Sequence, residues 1–327
     1  VTLEKERLEK KLNAEDTFVS SKQTLIGIVA ISATVVAVVL LFLYNSIKEK
    51  NKLHDQLEEQ FRKVRESNFE LDLKNREVLD SIGYASRIQE ASLPHKSDFK
   101  KLLPRSFIYY RPKDLVSGDF FWITEVGQKV YVATGDCTGH GVPGALLTIF
   151  GVTHLKQIIE GRMIRTPGLI LDELRKDIIS SLTVAHGGEV LNDGMDLSIY
   201  SIDKLTKRMD YACANNGIYV LRNKEITDIR PDKQPIGFSP SLEKPFRSGS
   251  FQLEKDDLIV TYTDGYPDQF GGPKGKKMKS KRFKEIIQKV SLMPESQVSA
   301  NLHSHFMKWK GNLEQIDDVC VIGVRIT

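Results

Sequence analysis

Hydrophobic and polar residues change their spacing twice along the chain, and each spacing predicts a different structure. Residues 24–44, TLIGIVAISATVVAVVLLFLY, carry no charge. Because an α-helix needs about 20 apolar residues to cross the hydrocarbon core of a bilayer, this stretch predicts a transmembrane helix. A buried core helix is the alternative, although it does not require so long an uncharged run. Residues 1–23 are charged and are expected to form a helical juxtamembrane segment.

The charges beside this span predict its orientation. Lys48, Lys50 and Lys52 follow the span, and only Lys22 lies as close before it. Basic residues concentrate on the cytoplasmic side of membrane proteins. We therefore expect a single-pass protein of the plasma (inner) membrane whose C-terminal bulk lies in the cytoplasm.

A seven-residue repeat occupies residues 45–93 and predicts a coiled-coil stalk. Its d positions are all apolar: Leu57, Val64, Leu71 and Val78. Its a positions are Phe61, Asn68, Asn75 and Ile82, so two of the four are asparagines. Asparagine at a favours a two-stranded parallel coil, so a parallel homodimer is expected. A single amphipathic helix lying on the next domain is the alternative. Pro94 should end the helix.

From about Ser106 the apolar residues alternate with polar ones, as in β-strands. Helical patterns interrupt the strands at about 142–160, 167–183, 281–291 and 295–310. Consecutive strands joined by hairpin-length gaps, with helices in pairs, predict an α+β domain over residues 94–327, in which helices flank antiparallel sheets. Asn215 and Asn216 before a glycine suggest one more hairpin turn.

Composition narrows the functional classes. The net charge of +4 is small for 327 residues. The sequence has no basic stripe interleaved with aromatic residues, so it does not indicate a nucleic-acid partner. Cys137, Cys213 and Cys320 are scattered, which argues against a zinc knuckle or a disulfide framework and fits a reducing compartment.

Aspartates at the ends of the predicted strands provide the candidate chemistry. If Gly127 and Gln128 form a type II′ hairpin turn, Asp119 lies directly opposite Asp136. Two carboxylates about 5 Å apart repel one another unless a cation or a shared proton separates them.

Further aspartates lie at strand ends that can reach the same edge. Asp264 ends one strand, and Asp317 and Asp318 open another. Carboxylate oxygens suit Mg²⁺ or Mn²⁺, and such a cluster can hold two ions that activate water. For a single aspartate, a turn or cap role is the simpler interpretation. Asp193 and Asp196 either lie close behind this site or belong to a plain turn.

An ordered set of motifs over roughly residues 80–327 resembles the SpoIIE/RsbU-type branch of the metal-dependent serine/threonine phosphatases, in the protein phosphatase 2C superfamily. The motifs are SGDFFWI, GDCTGHGVPGA, DGMDLSIYSID, ANNGIYVLRN, QPIGF, TDGYPDQFGG and QIDDVCVIGV. The resemblance implies a β-sandwich flanked by helices, with two Mn²⁺ or Mg²⁺ ions, that hydrolyses phosphoserine or phosphothreonine on a protein. It also suggests a phosphorylated anti-sigma-factor antagonist as the substrate.

The same resemblance assigns roles to residues of this chain. Asp136 would bridge both metals, and Asp119, Asp264, Asp317 and the Cys137 carbonyl would complete the shell. Asp318 is the alternative to its neighbour Asp317. Proximity to Asp136 makes His140 a candidate general acid, although a residue at the helix entry bonded to backbone is an equal interpretation.

Two other functional classes remain. One is a catalytically weak scaffold that binds a phosphoprotein, which loss of metal ligands would indicate; all the expected aspartates are present. The other is a two-metal nuclease, which the absence of a basic face disfavours.

Overall fold

The computed structural model describes residues 2–139, 141–185, 193–238 and 244–327. The chain divides into two compact units, Val1–Glu77 and Val78–Thr327. The domain limits drawn from the sequence at 23, 44 and 93 remain predictions.

The first unit is helical throughout its described residues and belongs to α1, Thr2–Ser92. The side chains of residues 24–44 are nearly all exposed, and so are the apolar heptad positions such as Leu57 and Phe61. Two stretches of the described chain are long and apolar enough to cross a membrane. One lies in α1, with none of its most apolar window buried, and the other is Gly141–Gly161, with half of that window buried.

The second unit contains six further helices and thirteen strands among its described residues. The helices are α2 Lys96–Leu102, α3 Gly141–Lys156 with a π-helical turn Gln157–Gly161, α4 Pro167–Ala185, α5 Gly265–Asp268, α6 Lys279–Val290 and α7 Glu295–Lys310. The strands are β1 Ser106–Arg111, β2 Asp119–Val126, β3 Lys129–Cys137, β4 Gly194–Asp203, β5 Arg208–Ala214, β6 Ile218–Arg222, β7 Glu225–Ile229, β8 Ile236–Gly237, β9 Gly249–Gln252, β10 Leu258–Tyr262, β11 Phe270–Gly271, β12 Lys276–Lys277 and β13 Val319–Arg325.

Two antiparallel sheets form the sandwich. The first sheet has the strand order β1-β13-β10-β6-β7, and the second has the order β2-β3-β4-β5-β9, with β8 beside β4. β11 and β12 form a separate two-stranded ribbon. The predicted α+β fold with antiparallel sheets is confirmed.

Alternation along β2 shows how the sequence builds the layers. Phe120 and Trp122 pack into a cluster that includes Ile170 and Leu174 of α4. Phe121 and Ile123, on the opposite face of the strand, join the cluster shared by the two sheets. A third cluster lies between the first sheet and helices α6 and α7. The order of layers is therefore helix, sheet, sheet, helix.

The prediction of a hairpin at Asn215 and Asn216 is wrong. Asn215 does have the positive φ, 55°, of a turn residue. However, β5 pairs with β4 and β9 in one sheet, and β6 pairs with β10 and β7 in the other. The turn therefore carries the chain between the sheets, and a local turn signal does not reveal which strands pair.

Candidate metal centre

The β2–β3 hairpin brings the first two aspartates together as predicted. Gly127 has φ 61° at the turn, and Val126 pairs with Lys129. The same register places Asp119 opposite Asp136, and on the other side of β3 Asp136 lies opposite Asp196 of β4. Three neighbouring strands therefore present a row of aspartates at one edge of the sheet.

The other sheet delivers its aspartates to this edge. Asp264 directly follows the threonine after β10, Asp317 and Asp318 precede β13, and the two strands are antiparallel neighbours. Thr263 connects the sheets, because its hydroxyl donates to Asp119 Oδ2 at 2.6 Å and its backbone N–H donates to the Cys320 carbonyl at 3.0 Å.

Burial and mutual repulsion raise the pKa of three of these carboxyl groups. Burial, and then the charge of Asp136, hold the pKa of Asp119 well above its usual range. The pKa of Asp136 is also well above its usual range because of burial and then the charges of Asp264 and Asp317. Asp264 is exposed at the rim, yet partial loss of hydration, followed by the charge of Asp317, raises its pKa to about 6.

A divalent cation would relieve this crowding, and oxygen donors suit Mg²⁺ or Mn²⁺. The donor set at this edge therefore fits such ions chemically. Within the described ranges, however, no group of three or more Asp, Glu, His or Cys side chains is arranged to hold a metal ion directly. The aspartates share an edge without forming a ready-made coordination shell.

Asp318 is engaged elsewhere. It is buried, and its two carboxylate oxygens accept the backbone N–H groups of Lys113 and Gly118, each at 2.7 Å. Asp317 is partly exposed, and its Oδ1 accepts the N–H of Asp318 at 2.9 Å. Of the two alternatives, Asp317 interacts more strongly with Asp136 and Asp264.

The glycine-rich turn after Asp136 lets three backbone segments approach closely. A Cβ on Gly144 would lie 2.5 Å from the Gly139 carbonyl oxygen and 3.0 Å from the Gly118 Cα. Cys137 donates its N–H to the Gly118 carbonyl at 3.1 Å, and its thiol is buried. His140 lies outside the described residues.

Two further residues contribute to this edge. Asp196 lies on β4 opposite Asp136 rather than in a plain turn; its Oδ1 accepts the Asn215 side-chain N–H at 2.8 Å, and burial raises its pKa. Ser117 carries no distinctive signal in the sequence, yet its hydroxyl accepts the Asp119 N–H at 3.1 Å. Once β4 is known to pair with β3, counting the register identifies Asp196.

The fold and the acidic edge define a protein phosphatase 2C-like domain. The family model described as "Stage II sporulation protein E (SpoIIE)" matches residues 127–327. This chain belongs to the SpoIIE family. Asp119 lies just before the matched range.

Solved structures share this fold. The "SiaA-PP2C domain of Pseudomonas aeruginosa" is 27% identical with a TM-score of 0.71, and the match covers 77% of this chain and 98% of that one. The phosphatase domain with a regulatory fragment of SpoIIE from Bacillus subtilis is 21% identical with a TM-score of 0.53, over 67% of this chain and 62% of that one. The RsbU and RsbW domains of Rv1364c from Mycobacterium tuberculosis are 18% identical with a TM-score of 0.53, over 67% and 59%. A comparison with curated protein sequences gives no match.

We expect the metal-free protein to lose stability as the pH rises from about 4 to about 6. A carboxyl group whose pKa is raised in the folded state stabilises that state fully below its unfolded pKa, 3.8 here, and the contribution disappears as the pH passes the folded pKa. Asp264, with a pKa of about 6, sets this window. Carboxyl groups whose pKa is lowered in the folded state, such as Asp256 beside Arg105, change the stability only at a pH below this window.

Urea unfolding in the presence of a chelator checks this expectation. Tryptophan fluorescence is a suitable probe because Trp122 and Trp309 lie in the second unit and the chain has only these two tryptophans. Stability that rises between pH 4 and pH 6 would contradict the assigned clustering. Excess Mn²⁺ should restore stability above pH 6, because a bound ligand stabilises the folded state.

Proposed function

We propose that this protein is a membrane-tethered cytoplasmic phosphatase that hydrolyses phosphoserine or phosphothreonine on a protein substrate. The observation that carries the proposal is the gathering of Asp119, Asp136, Asp264 and Asp317 from two sheets at one edge, in a chain of the SpoIIE family. Carboxyl groups whose pKa is strongly raised by burial and by neighbouring charges are typical of functional sites.

In this proposal Asp136, Asp119, Asp264, Asp317 and the Cys137 carbonyl would hold two Mg²⁺ or Mn²⁺ ions. When bound, such ions activate water and withdraw charge from phosphoryl oxygens. The protein supplies orientation. The Thr263 hydroxyl and the Ser117 hydroxyl bond Asp119 from opposite ends of the residue, so that its carboxylate has little freedom.

A proton donor for the departing serine oxygen completes the proposal. His140 has this role in it because it is the fourth residue after Asp136 in a glycine-rich stretch of the sequence, and an imidazole can donate a proton near neutral pH.

The tether and stalk are part of the same proposal. An exposed uncharged helix over residues 24–44 supports a single membrane span, and the exposed heptad positions of 45–77 support a parallel homodimer. The proposed substrate, a phosphorylated anti-sigma-factor antagonist, rests on family likeness alone.

A catalytically weak phosphoprotein-binding scaffold is the second candidate. The observation in its favour is that, across the described parts of the chain, no three potential ligands are arranged to hold a metal directly. Hydrolysis of p-nitrophenyl phosphate by the full chain in detergent separates the two. We expect Mn²⁺-dependent turnover that a chelator abolishes, whereas binding of a phosphoprotein without turnover would support the scaffold.

Asparagine substitutions at the two adjacent aspartates should differ. Asp317→Asn should weaken Mn²⁺ binding by about tenfold or more because it removes a proposed ligand charge. Asp318→Asn replaces one of two oxygens that accept buried backbone N–H groups, so it should lower the free energy of unfolding by about 1–3 kcal/mol. Calorimetric Mn²⁺ titration and urea unfolding measure the two effects, and the reverse pattern would make Asp318 the ligand.

A further inference from the structure

Lys277 lies on the short strand β12, in the two-stranded ribbon that follows Asp264 along the chain. The strand pairs with β11, so that Lys277 is opposite Phe270. The Lys277 side chain is 42% exposed, and its Nζ donates to Asp268 Oδ2 at 2.7 Å. An ion pair as exposed as this one contributes little to stability. Its place next to the candidate metal centre is therefore its more informative property.

Asp268 brings this lysine close to Asp264. Asp264 has helical backbone angles and directly precedes α5, and the Asp268 N–H donates to the Asp264 carbonyl at 2.8 Å. Side chains four residues apart on a helical turn lie on the same face, with their Cβ atoms about 5–6 Å apart. The Lys277 ammonium group, which is bonded to Asp268, therefore lies beside the Asp264 carboxylate.

The charges of the two groups act on one another in agreement with this placement. Burial and neighbouring carboxylates raise the pKa of Asp264, whereas the charge of Lys277 lowers it. The hydrogen bond to Asp268, together with the charge of Asp264, raises the pKa of Lys277. Lys277 is therefore an ammonium group at neutral pH, next to a proposed metal ligand.

Packing against α7 fixes the ribbon that carries Lys277. The Gly272 N–H donates to the Trp309 carbonyl at 2.8 Å. The Trp309 indole N–H and the Met278 backbone N–H both donate to the Gln269 carbonyl, at 2.8 Å and 3.0 Å. Both ends of the ribbon are thus bonded, and the backbone of Lys277 is held in place beside the acidic edge.

Charge balance explains what a cation can do at this place. Two divalent ions would neutralise the four proposed ligand aspartates, whereas a phosphate monoester adds about two negative charges at neutral pH. An ammonium group has three donors, and the bond to Asp268 uses one of them. Lys277 can therefore offer both charge and hydrogen bonds to an anion that reaches the metal centre from solvent.

We propose that Lys277 is a substrate-binding residue of the candidate metal centre, and that its ammonium group bonds the phosphoryl oxygens of the phosphoserine or phosphothreonine. The proposal rests on the proposed function, because it takes Asp264 as a metal ligand and a phosphoester as the substrate. Lysine binds phosphate as a compact point charge. Asp264 and Lys277 are both exposed, so a phosphate group on the surface of another protein can reach them.

The test compares variants of the full chain in detergent. Lys277→Met removes the charge and keeps an unbranched side chain, whereas Lys277→Arg keeps the charge. Lys276→Met is the matched control, because Lys276 is also exposed and successive side chains of a strand point to opposite faces. The probe is phenylphosphonate, an anion similar to the substrate group that has no ester bond to hydrolyse. Its binding is measured by calorimetric titration at saturating Mn²⁺.

We expect Lys277→Met to weaken phenylphosphonate binding about tenfold, because it removes a hydrogen bond between charged groups. The kcat/KM for p-nitrophenyl phosphate should fall by a similar factor. Mn²⁺ affinity, measured by a separate titration, should be unchanged or higher, since the lysine repels cations. Lys277→Arg should restore most of the phenylphosphonate binding, and Lys276→Met should match the unsubstituted protein.

Unchanged phenylphosphonate affinity in Lys277→Met would overturn the proposal. An equal loss in Lys276→Met would also overturn it, because the effect would then come from the overall charge of the ribbon. A lower Mn²⁺ affinity in Lys277→Met would show that the lysine acts through Asp264 instead. If that variant does not fold, Lys277→Gln replaces it with the same criteria. If the unsubstituted protein binds no Mn²⁺, the proposed function itself fails, so the two failures are distinguishable.

Discussion

Asp136→Asn is expected to abolish Mn²⁺-dependent phosphoester hydrolysis, with kcat reduced about 100-fold or more. Asparagine preserves the size of the side chain but lacks the charge that would bind two cations. Asp136 is the aspartate with neighbours on both sides, Asp119 across one strand pair and Asp196 across the other. No adjacent carboxylate can replace it without breaking the strand register.

The same substitution should stabilise the metal-free protein at pH 7.5. Burial and the charges of Asp264 and Asp317 raise the pKa of Asp136, so its ionised form is unfavourable in the folded state at that pH. Removing the charge removes this cost. Lost activity together with a higher metal-free melting temperature would separate loss of a ligand from simple unfolding.

Asp228→Asn is the matched control for this experiment. Asp228 is exposed on β7 and pairs with Lys284 at 2.7 Å, in the sheet to which Asp136 does not belong. It should retain full activity and stability within about 0.5 kcal/mol. If Asp136→Asn retained activity similar to that of this control, the proposed metal centre would be wrong.

Phe120→Ala should lower the free energy of unfolding by about 3–5 kcal/mol. Phe120 follows Asp119 on β2 and is fully buried in the cluster between the second sheet and helices α3 and α4. Its ring fills the space above Gly135, where a Cβ would overlap it, and lies 3.2 Å from the position of a Cβ on Gly151. Neither glycine has a side chain that could fill the space left by the ring.

Phe270→Ala provides a comparison with the same change of residue type. Phe270 is 39% exposed on the short strand β11, so its truncation should cost much less than that of Phe120. Urea unfolding followed by tryptophan fluorescence measures both. Equal losses of stability would show that the packing around Phe120 relaxes freely, contrary to the close contacts of its ring.

The regularity of local patterns explains what could be predicted from the sequence. The hairpin register that pairs Asp119 with Asp136 followed from the turn at Gly127, because a two-residue turn determines which residues face one another. The period-two spacing of apolar residues likewise predicted strands from about Ser106 onward. Each of these inferences uses only residues close together in the chain.

Other features required the tertiary structure because they join distant segments. Asp318 and Asp317 are adjacent in sequence, yet only packing against Gly118 and Lys113 shows that the Asp318 carboxylate bonds backbone. The turn at Asn215 had the correct local conformation, but its role in joining two sheets depends on strand pairing across the domain.

The sequence by itself determined the α+β class, the uncharged helix, the heptad repeat and the facing pair of aspartates, because helix and strand periodicity and hairpin geometry are local properties. Only the tertiary structure decided that Asp318 bonds backbone N–H groups while the charge of Asp317 acts on Asp136, and that Gln89 reaches Ser117. The physical reason is that such contacts arise where separate layers pack, and the cost of bringing distant segments together is met by the whole core rather than by the residues of the site.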